Sequence, residues 1–241
     1  LRSLVGSEMC IRDRVCNMYG YYGYDTLFLA VIVVFILGIW AQIRVKNTYK
    51  KYSQEYASSG VTAANMAERM LREHGSSVQV TMIPGSLTDN YNPRTGLVSL
   101  SQGTYGSTSV AALAVAAHEI GHVMQHQEGY IPIRIRNAIL PAASIGSTAA
   151  PYIVILGAIM GSYNLAMIGV YLFLAMLIFQ IVTLPVELNA SSRGLDMLES
   201  GGYISYDQRG DAKAVLKAAA MTYVVAAIST LVSFLRLLMI A

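Results

Sequence analysis

NAILPAASIGSTAAPYIVILGAIMGSYNLAMIGVYLFLAMLIFQIVTLPV, Asn137–Val186, runs for 50 residues between Arg136 and Glu187 without an Asp, Glu, Lys, Arg or His. A helix crosses the hydrocarbon layer in about 20 residues, so the run is too long for one span and fits two. The turn between them is expected at Gly161-Ser162-Tyr163-Asn164, the one cluster of turn-forming residues near its middle. Thr26–Ile43 and Ala218–Leu235 are also uncharged, and each has the length of a single span. The sequence therefore predicts four transmembrane helices.

Composition agrees. Of 241 residues, 54% are hydrophobic and 13% charged, with mean hydropathy +0.47; soluble domains average about 25% charged. The net charge of +3 is small and dispersed, and neither a basic-aromatic patch nor a Gly-rich phosphate loop is present, so nucleic acid is not an expected partner. The lipid bilayer is. Cys10 and Cys16 both lie near the N-terminus, which leaves no thiolate site or disulfide framework in the body of the chain.

Basic residues flank the spans on one side: Arg44, Lys46, Lys50 and Lys51 after the first, Arg134 and Arg136 before the second, Arg193 after the third. The positive-inside rule makes that side cytoplasmic. The expected organisation is 1–17 a leader or artefact, 18–43 the first span, 44–136 a cytoplasmic region, 137–184 the second and third spans, 185–217 a second cytoplasmic segment and 218–241 the fourth span. The tyrosine run at Tyr19–Tyr24 reads as an interfacial belt.

Within 44–136, Thr62–His74 reads as an amphipathic helix with Thr62 as N-cap and Gly75 past its end. Val78–Ile83 and Leu97–Ser101 read as strands, separated by Pro84-Gly85 and the turn-rich stretch Asp89–Gly96. The pair is either a structural hairpin or an edge against which an extended substrate could lie. Val110–Gln127 reads as one helix, and it carries His118-Glu119-Ile120-Gly121-His122.

That pentapeptide is an HExxH. Positions i and i+4 share a helix face, so His118 and His122 can meet one metal ion while Glu119 lies where it can act on a water. Glu119 is the only charge among apolar turns, and a buried carboxylate needs a nearby cation or a proton. Catalytic zinc usually has three protein ligands. His126 lies about 12 Å along the axis from His118 and cannot reach the same ion, and Glu128 is further still. Glu187, just past the third span, is the better candidate; by spacing alone it could equally be a solvated first-turn acid of a helix over Val186–Glu199.

Several segments extend this reading: Val45–Tyr49, Leu87–Thr95, Ser109–His122, Leu184–Ser191 and Ala218–Val224. In these the chain from about Met18 resembles the YugP-type neutral zinc metallopeptidases of bacterial membranes and, more distantly, the HtpX-like membrane proteases. The resemblance implies a mainly α membrane protein with a cytoplasmic zincin-like α+β portion, in the bacterial inner membrane. It implies one Zn2+ per chain held by His118, His122 and Glu187. Asn90 and Asn189 stand where that family often has His and Asp, and Ser191 where the HtpX-like pattern has an Asp.

The expected activity is zinc metalloendopeptidase: peptide-bond hydrolysis of a protein or peptide substrate, with Glu119 as general base. Arg193, Tyr223 and Ser191 are candidates for stabilising the oxyanion. Two other readings compete. A membrane scaffold or chaperone adaptor would carry a non-catalytic zinc. A site-2-type intramembrane protease would hold HExxH within the bilayer, but the polar Gln125–Glu128 follows the motif and no Leu-Asp-Gly ligand motif is present.

Overall fold

A computed structural model describes residues 27–240. The expected leader at 1–17 and the tyrosine run at 19–24 lie outside the described residues.

The elements are α1 (described over Leu27–Tyr52), α2 (Ala63–Glu73), β1 (Gln79–Ile83), β2 (Asn90–Asn92), β3 (Leu97–Ser101), α3 (Gln102–Tyr105), α4 (Val110–Gln127), α5 (Ile131–Ile159), α6 (Tyr163–Ser200) and α7 (Arg209–Ile240). Among the described residues the protein is mainly helical with one small sheet. Helices α1, α5, α6 and α7 are long and apolar enough to cross a membrane. Gly161, with φ +63°, breaks the long uncharged run between α5 and α6 where the turn is expected.

The helices outrun the boundaries expected from charge. α1 continues to Tyr52, through Arg44, Lys46 and Lys50, and α7 begins at Arg209. α6 passes through Pro185 to Ser200, so the separate helix expected over Val186–Glu199 is the end of the third apolar helix. Backbone hydrogen bonding propagates through charged side chains as readily as through apolar ones, whereas the hydropathy pattern marks only the apolar part.

The described chain divides into two compact units. One comprises 27–38, 141–178 and 226–240. Within it α5 and α6 approach closely at small residues: a Cβ on Gly146 would overlap the Leu172 carbonyl, and one on Gly157 would overlap Ala166. Small residues let membrane helices pack where apolar burial alone gives no preference for protein over lipid.

The other unit, 39–140 with 179–225, carries the sheet, α2, α3 and α4. Thr62 Oγ1 caps α2 by accepting from Asn65 N at 3.4 Å, and Ser109 Oγ caps α4 by accepting from Ala112 N at 3.2 Å. The core of this unit joins Met66, Met70 and Leu71 of α2, Val98 and Leu100 of β3, Leu113, Ile120 and Val123 of α4, and Leu198 of α6. Burial of each such side chain contributes about 1.5–3 kcal/mol.

The two expected strands do not form a hairpin with each other. β1 pairs parallel to β3, Gln79 opposite Leu97 through Ile83 opposite Ser101. The stretch expected to be all turn contains β2, which pairs antiparallel to the other edge of β3, Asn90 opposite Ser99. Parallel neighbours cannot be joined by a tight turn, and residues 84–96 supply the return path. The hairpin is β2–β3, closed where Gly96 takes φ +65°.

Candidate metal centre

α4 sets His118 and His122 one turn apart, their rings edge to face with centroids 4.7 Å apart. Glu187 reaches them from α6. Its Oε2 lies 3.3 Å from His118 Nε2 and 3.5 Å from His122 Nε2, and the three donor atoms all lie within 4.8 Å of one another. Bonds of about 2.0–2.1 Å to one tetrahedral ion separate its ligand atoms by about 3.3 Å. Among the described residues no other His, Cys, Asp or Glu joins this group.

The donors suit a cation. Glu187 is 3% exposed, and its Oε2 is buried without a hydrogen-bond partner of good geometry. An orphaned carboxylate oxygen facing two imidazole nitrogens is costly unless a positive charge lies among them. Arg136 of α5 stands 4.0 Å from the other oxygen, Oε1, and its guanidinium also faces the Phe179 ring.

The approach of the two helices rests on absent side chains. A Cβ on Gly121 would overlap the Ala190 carbonyl, and one on Gly194 would come within 2.7 Å of the Ala117 carbonyl. α4 and α6 thus touch backbone to backbone at two points beside the cluster, which brings Glu187 within reach of the histidines.

Supporting hydrogen bonds fix the rings. His118 Nδ1 meets Ser191 Oγ at 3.1 Å, and His122 Nδ1 meets Gln125 Oε1 at 3.0 Å. Gln125 Nε2 donates to the Val186 carbonyl and to Asn189 Oδ1. Arg193 Nε donates to Asn189 Oδ1 at 2.8 Å, and Arg193 Nη1 bonds Glu128 at 2.6 Å.

Glu119 is buried, 8% exposed. Burial pushes its carboxyl above the usual range; the histidines oppose this, and Glu187 and Asp89 add to it. Burial pulls His122 down, but the Glu187 carboxylate, 3.5 Å from its Nε2, and the charge of Glu119 raise it overall. His126 packs edge-on against Tyr91 of β2, and burial, then the charges of His122 and Arg136, hold its pKa below the ordinary value.

A cavity of about 190 Å³ opens beside His118 and Glu187. Val115, Val215, Leu216, Ala219 and Ala220 give it an apolar wall, and Asp89, Ser191 and Tyr223 give it polar groups. Leu87, also on its lining, takes φ 55°, a conformation that an L side chain rarely adopts.

The structure thus brings together His118, His122 and Glu187, with Glu119 on the same helix. His126 and Glu128 stand outside the cluster. Of the three oxyanion candidates, Tyr223 lines the cavity, Ser191 supports His118 and Arg193 is engaged by Asn189 and Glu128. Sequence reading missed Gln125 and used Arg136 only as a flank of the membrane. The signal for Gln125 was there, three residues after His122 on the face next to it; for Arg136 there was none.

The chain belongs to the family described as "putative neutral zinc metallopeptidase", whose model matches residues 27–241. It is 43% identical over 205 residues to a protein of Bacillus subtilis (strain 168) named "Putative membrane protease YugP", covering 85% of this chain and 91% of that one. No solved structure matches it.

Proposed function

We propose that this protein is a membrane-embedded zinc endopeptidase acting on protein or peptide substrates, with His118, His122 and Glu187 holding one zinc ion and Glu119 as general base. The observation that carries the reading is the meeting of three donors from α4 and α6 around one buried, orphaned carboxylate oxygen. The family and its Bacillus relative support it. A closed structural zinc site takes four protein ligands, and only three converge among the described residues, which favours an open site over a scaffold.

A bound zinc would supply a Lewis acid that polarises the substrate carbonyl and acidifies a water. The chain supplies the rest. Glu119, its pKa raised by burial, is a stronger base than an exposed carboxylate, suited to take a proton and return it to the leaving amine. Arg136 balances the Glu187 oxygen turned away from the histidines. Tyr223, which lines the cavity, is the candidate donor to the oxyanion. The α+β portion, with HExxH on α4 packed behind the sheet, is zincin-like in this reading. The basic flanks of the spans support a location on the cytoplasmic side of a bacterial inner membrane.

The test is zinc content and cleavage of an unfolded protein substrate by the detergent-purified chain. One zinc per chain with hydrolysis abolished by a chelator supports the reading. Zinc without turnover returns the scaffold, and no zinc removes the metal centre.

A further inference from the structure

Gln125 is fully buried, and its side chain is oriented by chemistry alone. The Val186 carbonyl 2.8 Å away can only accept, so the amide atom that meets it must be the NH2 nitrogen. The same nitrogen lies 2.9 Å from Asn189 Oδ1, which is fixed as an oxygen by a second donor, Arg193 Nε. Oε1 of Gln125, which carries no proton, therefore faces His122 Nδ1 at 3.0 Å. Only a protonated Nδ1 can bond to it.

We infer that Gln125 is a positioning residue that holds His122 in its Nδ1–H tautomer and ties that ring to the turn of α6 bearing Glu187. With Nδ1 protonated, the Nε2 lone pair faces the point where Glu187 Oε2 and His118 Nε2 converge. The two hydrogen bonds that Gln125 donates grip the residue before Glu187 and the residue two after it. One amide thus sets two of the three ligands. Arg193 closes the circuit, holding Asn189 from one side and Glu128, at the end of α4, from the other. His118 has no such device: its Nδ1 meets the Ser191 hydroxyl, which can donate or accept and so selects neither tautomer. The inference rests on the metal-centre reading above.

Two variants separate tautomer selection from a merely structural amide. Gln125→Glu keeps an acceptor for His122 but loses both donors; Gln125→Met loses everything. Zinc affinity is measured on the full chain in detergent by competition with a chelating dye, beside thermal melting of the metal-free protein. Both variants melt below wild type. If Gln125 positions the ligand, Gln125→Met loses about 10–100-fold in zinc affinity and Gln125→Glu stays within about tenfold of wild type and above Gln125→Met. Equal affinities in the two variants, or wild-type affinity in Gln125→Met, overturn it.

A measurement on wild type needs no variant. Imidazole nitrogen NMR of the metal-free protein, which has four histidines, at a pH where His122 is neutral should show its Nδ1 carrying the proton; a bare Nδ1 there overturns the inference even if the protein binds zinc. Wild type that binds no zinc at all instead sinks the metal centre itself.

Discussion

Gly121 of α4 stands against the carbonyl of Ala190 of α6 so closely that no side-chain carbon fits between them. Ala190 is three residues past Glu187, and Gly121 lies between the two histidines, so the contact and the metal cluster occupy the same crossing of helices. Whatever widens that crossing draws the carboxylate away from the rings.

Gly121→Ala is therefore expected to destabilise the protein by about 1–3 kcal/mol, the usual cost of overpacking, although Ala is the better helix former by about 1 kcal/mol. Zinc affinity should fall with it. A melting temperature at or above wild type with zinc retained would show that the two backbones can separate without consequence.

Glu119→Gln preserves shape and leaves all three proposed ligands in place. The expected result is wild-type zinc content with hydrolysis slowed by about 10²–10⁴-fold. Retained turnover in the purified variant would remove Glu119 from the reaction.

Glu187→Ala takes away the donor that α6 contributes and leaves Arg136 facing an apolar methyl. Zinc affinity should drop by more than the ~10–100-fold that follows loss of a supporting hydrogen bond. Dialysis against a weak chelator followed by metal analysis checks this, and a variant that keeps its zinc would assign the third ligand elsewhere.

Removal of zinc should reverse the pH dependence of stability. In the metal-free fold His122 has a pKa above its ordinary 6.5, so the folded chain binds this proton more tightly than the unfolded chain does. The stabilisation is complete below about pH 6.5 and is lost as pH rises through the folded value. The raised Glu119 acts with the same sign, and the lowered His126, only partly buried, acts against them. The melting temperature of metal-free protein should thus fall as pH rises above about 6.5. With excess zinc the trend should be upward, because the ligands bind metal only when deprotonated. Parallel trends with and without zinc would contradict this.

The four apolar helices and the HExxH helix were legible in the sequence because each is written locally, in an unbroken uncharged run or in the i, i+4 spacing of two histidines. The caps Thr62 and Ser109 are equally local, each a side chain bonding a backbone N–H three residues on. β2 was not legible: three residues, two of them Asn, in a turn-rich stretch, become a strand only because the edge of β3 is there to pair with them. The parallel pairing of β1 with β3 was hidden for the same reason, since register is set across 18 residues of chain rather than within it.

By itself the sequence determined the helices, the apolar spans and the pair of histidines, all of which depend on neighbours a few residues apart. Only the tertiary structure decided that Glu187, 65 residues beyond His122, shares an oxygen with both rings, that Arg136 faces its other oxygen, and that Gln125 orients His122. These relations follow from the close crossing of α4 and α6, which depends on which small residues face each other, and that is a property of two helices together that neither segment carries alone.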